Sequence, residues 1–283
     1  KGSQSFKSAS KLFAPSTRER AWLLYSWCRA LDDMTDGQEL GHGATAPIDP
    51  GATQARLTAL TAAALDGDGP VPLPFAALRQ VARETGALVM VHAENGDAID
   101  VLVKEALAEG KTDPVWHARS RPPITEGEAT NRAIQIAHIA GAPLYVVHVT
   151  CKESVDAIAA ARAKNWPVWG ETCTQYFFVD VTDLDEADFG GAKYVFSPPV
   201  RDKSNQPVLW DAVRTDVLSA ISTDHCAFNW DGQKTLGKDD FSKIPNGAPG
   251  VETRMSLVYD GGVRTGKISM NRFVELTSSS PAR

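Results

Sequence analysis

The sequence predicts an α/β fold, a partial parallel barrel preceded by an all-helical segment. Strand and helix patterns alternate from residue 87 onward, whereas residues 1 to 86 show only helical patterns between breaker-rich loops. Three apolar stretches end abruptly at a histidine or an aspartate, as barrel strands do at the face that carries chemistry. These observations together favour a barrel over a helical bundle for the larger part of the chain.

The composition indicates a soluble protein that acts on small molecules. The chain has 283 residues, of which 43% are hydrophobic, enough for a sizeable core. Its 29 basic and 35 acidic residues give a formal net charge of −6. Because no basic cluster is present, we expect no nucleic-acid partner.

The cysteines and the hydropathy pattern predict a cytoplasmic protein. The four cysteines lack any C-x-x-C pair, which favours reduced thiols over a disulfide framework. No apolar run reaches the roughly 18 residues of a transmembrane helix, and the start of the chain lacks a signal-peptide pattern. Homo-oligomerisation stays open at this stage.

The helical segment carries a pair of aspartates. Residues 16 to 19 fit a capping box, and the helix that starts there extends to about Asp36. Further helices are expected at about 53 to 65 and 74 to 82. Asp32 and Asp36 are four residues apart and share one helix face. On spacing alone a solvated helix end is the favoured interpretation, and a Mg²⁺ site for a diphosphate is the alternative.

The larger segment alternates strands and helices. Strands are expected at residues 88–92, 143–149, 166–172, 192–196 and 217–223, and helices at 97–107, 126–140, 152–164 and 269–277.

Three of these strands end in side chains that can bind a metal: His92, His148 and Asp224. A single histidine at a strand end is more often structural, but three such ends in one chain favour a shared site. Imidazole nitrogens with a carboxylate suit zinc, and Asp224 is the candidate general base. The other four histidines, His42, His117, His138 and His225, receive no role.

The helical segment resembles the squalene and phytoene synthase family. The resemblance rests on Gly2 to Phe6, Ala9 to Phe13, Leu24 to Arg29 and Asp32 to Asp36. It implies an all-helical prenyltransferase fold, with Asp32 and Asp36 in the first Mg-diphosphate motif. The second aspartate-rich motif of that family has no counterpart downstream.

The larger segment resembles the dihydropyrimidinases and hydantoinases of the amidohydrolase superfamily. Six motifs carry the resemblance, at residues 92–96, 145–150, 170–173, 197–199, 222–226 and 244–247. It implies half of a TIM-like barrel, in which His92 and His148 bind one zinc of a two-metal centre and Asp224 is both ligand and base. Ser197 and Asn246 would hold the cyclic substrate through main-chain groups, although on type alone they are ordinary turn residues.

The chain departs from the second family in its metal ligands. It has no H-x-H pair and no matching carboxylated lysine, and helical sequence replaces the first four strands. We therefore expect a composite of two partial families, with domains at 1–86 and 87–283. The predicted function is a zinc-dependent cyclic amide hydrolase, impaired by the missing ligands. The alternatives are a Mg-dependent phytoene synthase-type prenyltransferase and a catalytically inactive composite.

Overall fold

A computed structural model describes residues 88–282 without a gap, and before them residues 14–15, 17–20, 22–23, 26, 56, 59–60, 63–64, 70–73, 76–77 and 80. The chain divides into two compact units, Lys1–Ala87 and Leu88–Arg283. Most of the described residues of the first unit are helical, as the sequence predicts. Asp32 and Asp36 lie outside the described residues.

The second unit contains a parallel sheet of four described strands, which confirms the predicted α/β class. The strands lie in the order β1 (Val89–Val91), β2 (Leu144–Val146), β3 (Val168–Cys173) and β4 (Ala220–Ser222). Every neighbouring pair is parallel. The carboxyl ends of all four strands therefore lie at one edge, where His92, His148 and Asp224 follow β1, β2 and β4.

Helices connect the strands, as a parallel sheet requires. Their bounds are α1 Gly96–Ala108, α2 Val115–Arg119, α3 Pro123–Ala140, α4 Lys152–Ala163, α5 Asn205–Arg214, α6 Arg254–Val258 and α7 Met270–Val274. Within the described residues, no helix is both long and apolar enough to cross a membrane.

The core lies between the two central strands and their helices. Leu144, Val146 and Val168 are buried, and Ile158 of α4 packs against them. A Cβ at Gly170 would lie 2.9 Å from Ile158 Cδ1, so glycine allows α4 to approach the sheet closely. By contrast β1 is an edge strand, and Met90 is 62% exposed.

One predicted strand is wrong. The segment predicted as a strand at 192–196 begins within a 3₁₀ helix, Gly190–Tyr194. Phe189 has a φ of 66°, and Gly190 and Gly191 follow it, so the backbone turns here instead of extending. Val195 and Phe196 are buried nevertheless. These residues are apolar because they lie in the core. A run of apolar residues does not distinguish a buried segment of this kind from a strand.

Candidate metal centre and substrate pocket

Two histidines meet at the carboxyl edge of the sheet. His92 directly follows β1, and His148 lies two residues beyond β2, on the neighbouring strand. His92 Nδ1 and His148 Nε2 are 2.9 Å apart, and the rings meet edge to face with their centroids 4.6 Å apart. Because the strands are adjacent and parallel, the sheet itself brings the two side chains together.

The backbone at two of the predicted ligands is strained. His148 has a φ of 41° and Asp224 a φ of 47°, in the left-handed region that is uncommon for residues other than glycine, although Asp and His adopt it more readily than most. Such conformations cost about 1 to 3 kcal/mol and cluster at functional sites. Both turns occur just after a strand, so they redirect these side chains at the carboxyl edge of the sheet.

Asp224 lies close enough to interact with His148. Burial lowers the pKa of His148, the neighbouring His92 lowers it further, and the charge of Asp224 partly opposes these effects. Within the part of the chain that the structure describes, however, no group of three or more His, Cys, Asp or Glu side chains is arranged to hold a metal ion. The two histidines are therefore in contact, whereas Asp224 does not form a three-residue metal site with them.

The donor atoms fit a zinc ion in their spacing. Two nitrogen ligands at about 2.0 to 2.1 Å from a tetrahedral zinc lie about 3.3 Å apart. The 2.9 Å between His92 Nδ1 and His148 Nε2 is slightly shorter, so a small outward adjustment would admit the ion. A buried polar atom at the same place also lacks a partner among the described residues, namely His148 Nδ1.

The two predicted substrate-binding residues are also close to each other. Ser197 Oγ donates to Asn246 Oδ1 at 3.5 Å, although 49 positions separate them in the chain. The buried ammonium group of Lys234 donates to Val195 O at 2.8 Å and to Pro245 O at 2.7 Å. Lys234 thus ties together the two segments that carry Ser197 and Asn246, and burial lowers its pKa to about 8.

The loop that carries Asn246 depends on a glycine. Gly247 has a φ of 154°, and a Cβ there would lie 2.8 Å from Cys226 Cβ. Cys226 N donates to Ala248 O at 3.1 Å, which fastens this loop to the segment after β4. A cavity of about 620 Å³ opens beside it, with Phe196, Phe228 and Trp230 among its walls.

A further carboxylate, Glu171 of β3, accepts hydrogen bonds from side chains of both neighbouring strands. Tyr145 OH donates to Glu171 Oε2 at 3.0 Å, and Ser222 Oγ donates to Glu171 Oε1 at 2.8 Å. Burial raises the pKa of Glu171, and these two hydrogen bonds oppose that rise. One polar layer therefore connects β2, β3 and β4.

The remaining described histidines have structural partners. Arg121 Nη1 contacts His117 Nδ1 at 3.0 Å, and His117 Nε2 lies 3.0 Å from Phe196 O. His138 stacks on Trp166 with ring centroids 3.6 Å apart. His225 Nδ1 accepts from Gly250 N at 3.0 Å. His42 lies outside the described residues.

Sequence reasoning missed three side chains of the site: Glu94, Glu171 and Lys234. Glu94 Oε2 lies 3.1 Å from His92 Nε2. Alternation in an extended segment offers a signal for it, because residues i and i+2 share a face. No local sequence pattern marks Lys234, because its two acceptors lie 39 and 11 positions away in the chain.

The first part of the chain is similar to a known protein family. Residues 1–96 match the sequence model of the squalene/phytoene synthase family. The match extends beyond the predicted boundary at residue 86 and overlaps His92 and Glu94.

The second part is similar to hydantoinases. The D-hydantoinase of Geobacillus stearothermophilus is 53% identical over 202 residues, which are 71% of this chain and 43% of that protein. The D-hydantoinase of Streptomyces coelicolor is 53% identical over 204 residues, 72% of this chain and 44% of that protein. The crystal structure of dihydropyrimidinase from Brevibacillus agri matches with a TM-score of 0.70 and 57% identity, over 71% of this chain and 44% of that one.

The chain thus spans less than half the length of these relatives. Its four-stranded sheet corresponds to part of the hydantoinase fold. Both resemblances found in the sequence are confirmed: residues 1–96 match squalene/phytoene synthase, and the remainder is similar in sequence and fold to part of the D-hydantoinases and dihydropyrimidinases.

Proposed function

We propose that the chain carries part of the active site of a zinc-dependent cyclic amide hydrolase, which opens dihydropyrimidine or hydantoin rings slowly. The observation that supports this most is the approach of His92 Nδ1 to His148 Nε2 at 2.9 Å on neighbouring parallel strands. His92, His148 and Asp224 would hold one zinc, which requires Asp224 to move toward the histidines. Zinc bound there would polarise the ring amide and make water more acidic.

The Asp224 carboxylate would move the proton. It follows β4 at the same edge of the sheet as the histidines, and its charge acts on His148. A carboxylate there can accept a proton from the attacking water and deliver it to the departing ring nitrogen. This is one bond made at the carbonyl carbon and one carbon–nitrogen bond broken, with the proton passing through Asp224.

The substrate ring would bind beside Ser197 and Asn246. Main-chain groups of these residues suit the alternating N–H and C=O groups of a cyclic imide, and Lys234 holds both segments in place. The adjacent cavity has aromatic walls that suit an apolar ring substituent.

We further propose that activity is low. The sequence lacks the H-x-H pair and the carboxylated lysine that the resemblance implies for the second metal. A site held by one ion and an edge strand would position its groups less tightly, and a misplacement of about 1 Å can cost about a hundredfold in rate.

The test is dihydrouracil ring opening by the full chain with added zinc, beside the D-hydantoinase of Geobacillus stearothermophilus. We expect zinc-dependent turnover at least about a hundredfold slower than that of the relative, and its loss in Asp224→Ala. Turnover as fast as the relative's would refute the impairment. Turnover that does not depend on zinc or on Asp224 would refute the zinc-dependent hydrolase. No turnover at all would refute it too and would support an inactive composite.

A second candidate is favoured by the match of residues 1–96 to squalene/phytoene synthase. Asp32 and Asp36 would then bind Mg²⁺ with a prenyl diphosphate. Mg-dependent binding of a prenyl diphosphate that is lost in Asp32→Asn would select this function over ring hydrolysis. Because the sequence carries no second aspartate-rich motif, we rank it below the hydrolase.

A further inference from the structure

Glu94 is a buried carboxylate in contact with the histidine pair. Its side chain is only 6% exposed, and its Oε2 atom lies 3.1 Å from His92 Nε2. Its other oxygen, Oε1, is buried and has no hydrogen-bond partner among the described residues. A buried polar atom without a partner is uncommon and calls for an explanation.

The backbone around Glu94 is held firmly. Asn95 N donates to Thr125 O at 3.0 Å, and Asn95 Oδ1 accepts from Ala98 N at 3.1 Å to cap α1. Asn95 Nδ2 donates to Glu128 Oε2 at 2.8 Å. The position of Glu94 beside His92 is therefore set by the start of α1.

The contacts determine where the imidazole hydrogens lie. A carboxylate can only accept, so the contact with Glu94 requires a hydrogen on His92 Nε2. A neutral imidazole carries one N–H, which leaves the lone pair of His92 on Nδ1. His148 Nε2 then donates across the 2.9 Å contact, and in a neutral ring His148 Nδ1 carries no hydrogen.

We propose that Glu94 is a positioning residue, which holds the His92 hydrogen on Nε2 and thereby directs the Nδ1 lone pair toward His148 Nε2, where zinc would bind. This inference rests on the proposed function for its metal. Histidines that bind metals commonly donate their other N–H to a carboxylate, which fixes the tautomer and the ring orientation. In the metal-free site a shared hydrogen occupies the place between the two nitrogen atoms that the ion would take.

A purely structural role for Glu94 is the competing explanation. Its charge also acts on Arg121 and Arg201, so Glu94 could serve only to balance these two guanidinium groups. In that case its replacement would change stability and leave the His92 tautomer as it is. The two explanations therefore differ in what happens to the imidazole hydrogen.

The first measurement needs no metal. We would record the imidazole nitrogen resonances of the ¹⁵N-histidine-labelled full chain at one neutral pH, with His92 assigned through a His92→Asn variant. We expect the Nε2–H tautomer in the unaltered chain and a mixture of tautomers in Glu94→Ala. Glu94→Gln should keep the Nε2–H form, because its amide oxygen still accepts from Nε2–H. Glu105→Ala removes an exposed carboxylate of α1 and should change nothing.

The second measurement is Zn²⁺ affinity by calorimetry on the same proteins. We expect a loss of about 10 to 100-fold in Glu94→Ala, largely restored in Glu94→Gln, and no change in Glu105→Ala. An unaltered tautomer in Glu94→Ala overturns the inference, and so does a changed tautomer with unchanged zinc affinity. If the unaltered chain binds no zinc, the metal centre of the proposed function fails, and the tautomer measurement alone decides whether Glu94 orients His92.

Discussion

Two polar clusters follow strands of this unit, one buried and one half-exposed at His92, and they differ in how completely their hydrogen-bonding atoms are paired. In the arginine cluster, formed by Arg201, Glu126 and Thr150, Arg201 Nη2 donates to Glu126 Oε2 at 2.7 Å and Nε donates to Thr150 Oγ1 at 2.8 Å. Thr150 N completes it by donating to Glu126 Oε1 at 2.9 Å. The second cluster is the histidine pair, His92 and His148, together with Glu94. Two buried atoms in it, Glu94 Oε1 and His148 Nδ1, have no partner within the described residues.

This difference in pairing indicates which cluster stabilises the fold and which cluster is available to bind a ligand. A fully paired buried network fixes the fold, because each group leaves water for a defined partner. A cluster that leaves two buried acceptor atoms unpaired, one of them on a residue with a left-handed backbone, is poorly explained by stability alone. We therefore expect changes in the arginine cluster to affect unfolding, and changes in the histidine pair to affect ligand binding.

The largest expected effect is that of Arg201→Met. The side chains of Arg201 and Glu126 are each 3% exposed, so the substitution leaves a buried carboxylate without its cation. We expect the free energy of unfolding to fall by about 3 to 5 kcal/mol, measured by urea denaturation of the full chain.

The control is Lys152→Met, which removes a cation from an ion pair with Asp156 in which both side chains are 61% exposed. Such a pair contributes at most about 1 kcal/mol. A double-mutant cycle of Arg201→Met with Glu126→Gln should show coupling of at least about 1 kcal/mol. Equal losses in Arg201→Met and Lys152→Met would show that the buried arginine cluster stabilises the fold no more than an exposed ion pair does.

The second expected effect is that the free energy of unfolding falls at acidic pH because His117 is buried in its neutral form. This residue is joined to the arginine cluster, because Arg201 Nη1 donates to Arg121 O and Arg121 contacts His117. Burial, and then the charge of Arg121, hold the pKa of His117 well below its usual 6.5. The folded state thus binds fewer protons than the unfolded state below pH 6.5, so the free energy of unfolding falls as the pH falls.

We would compare the chain with His117→Asn by urea denaturation at pH 7 and pH 5. The unaltered chain should lose up to about 2 kcal/mol more than the variant over this interval, since the variant has no imidazole to protonate in the unfolded state. The depressed pKa of His148 contributes to both proteins and cancels. If the free energies of unfolding of the two proteins changed equally with pH, the pKa of His117 would not differ between the folded and unfolded states, and the prediction would be wrong.

The sequence predicted those features of this unit that depend on local contacts, and it did not predict those that depend on contacts between distant residues. The strands that end near His92, His148 and Asp224 were predicted, because apolar runs and their polar ends are local signals. The parallel order of β1 to β4 follows from helices placed between them. Partners such as Glu126 and Arg201, 75 positions apart, have no local signal, and only the folded chain brings them together.

The smallest expected effect on stability is that of His148→Asn. Among the described residues, only Nε2 of the two ring nitrogens of His148 has a side-chain partner. Asparagine adopts left-handed backbone more readily than most residues, so the φ of 41° remains accessible. We expect the free energy of unfolding to change by no more than about 1 kcal/mol, against about 1 to 3 kcal/mol for His117→Asn, whose two ring nitrogens are both paired. Urea denaturation at pH 7 without metal measures both, and calorimetry should show that His148→Asn loses zinc binding while His117→Asn keeps it. A loss of more than about 2 kcal/mol in His148→Asn with zinc binding intact would place His148 among the structural residues and end the contrast between the two clusters.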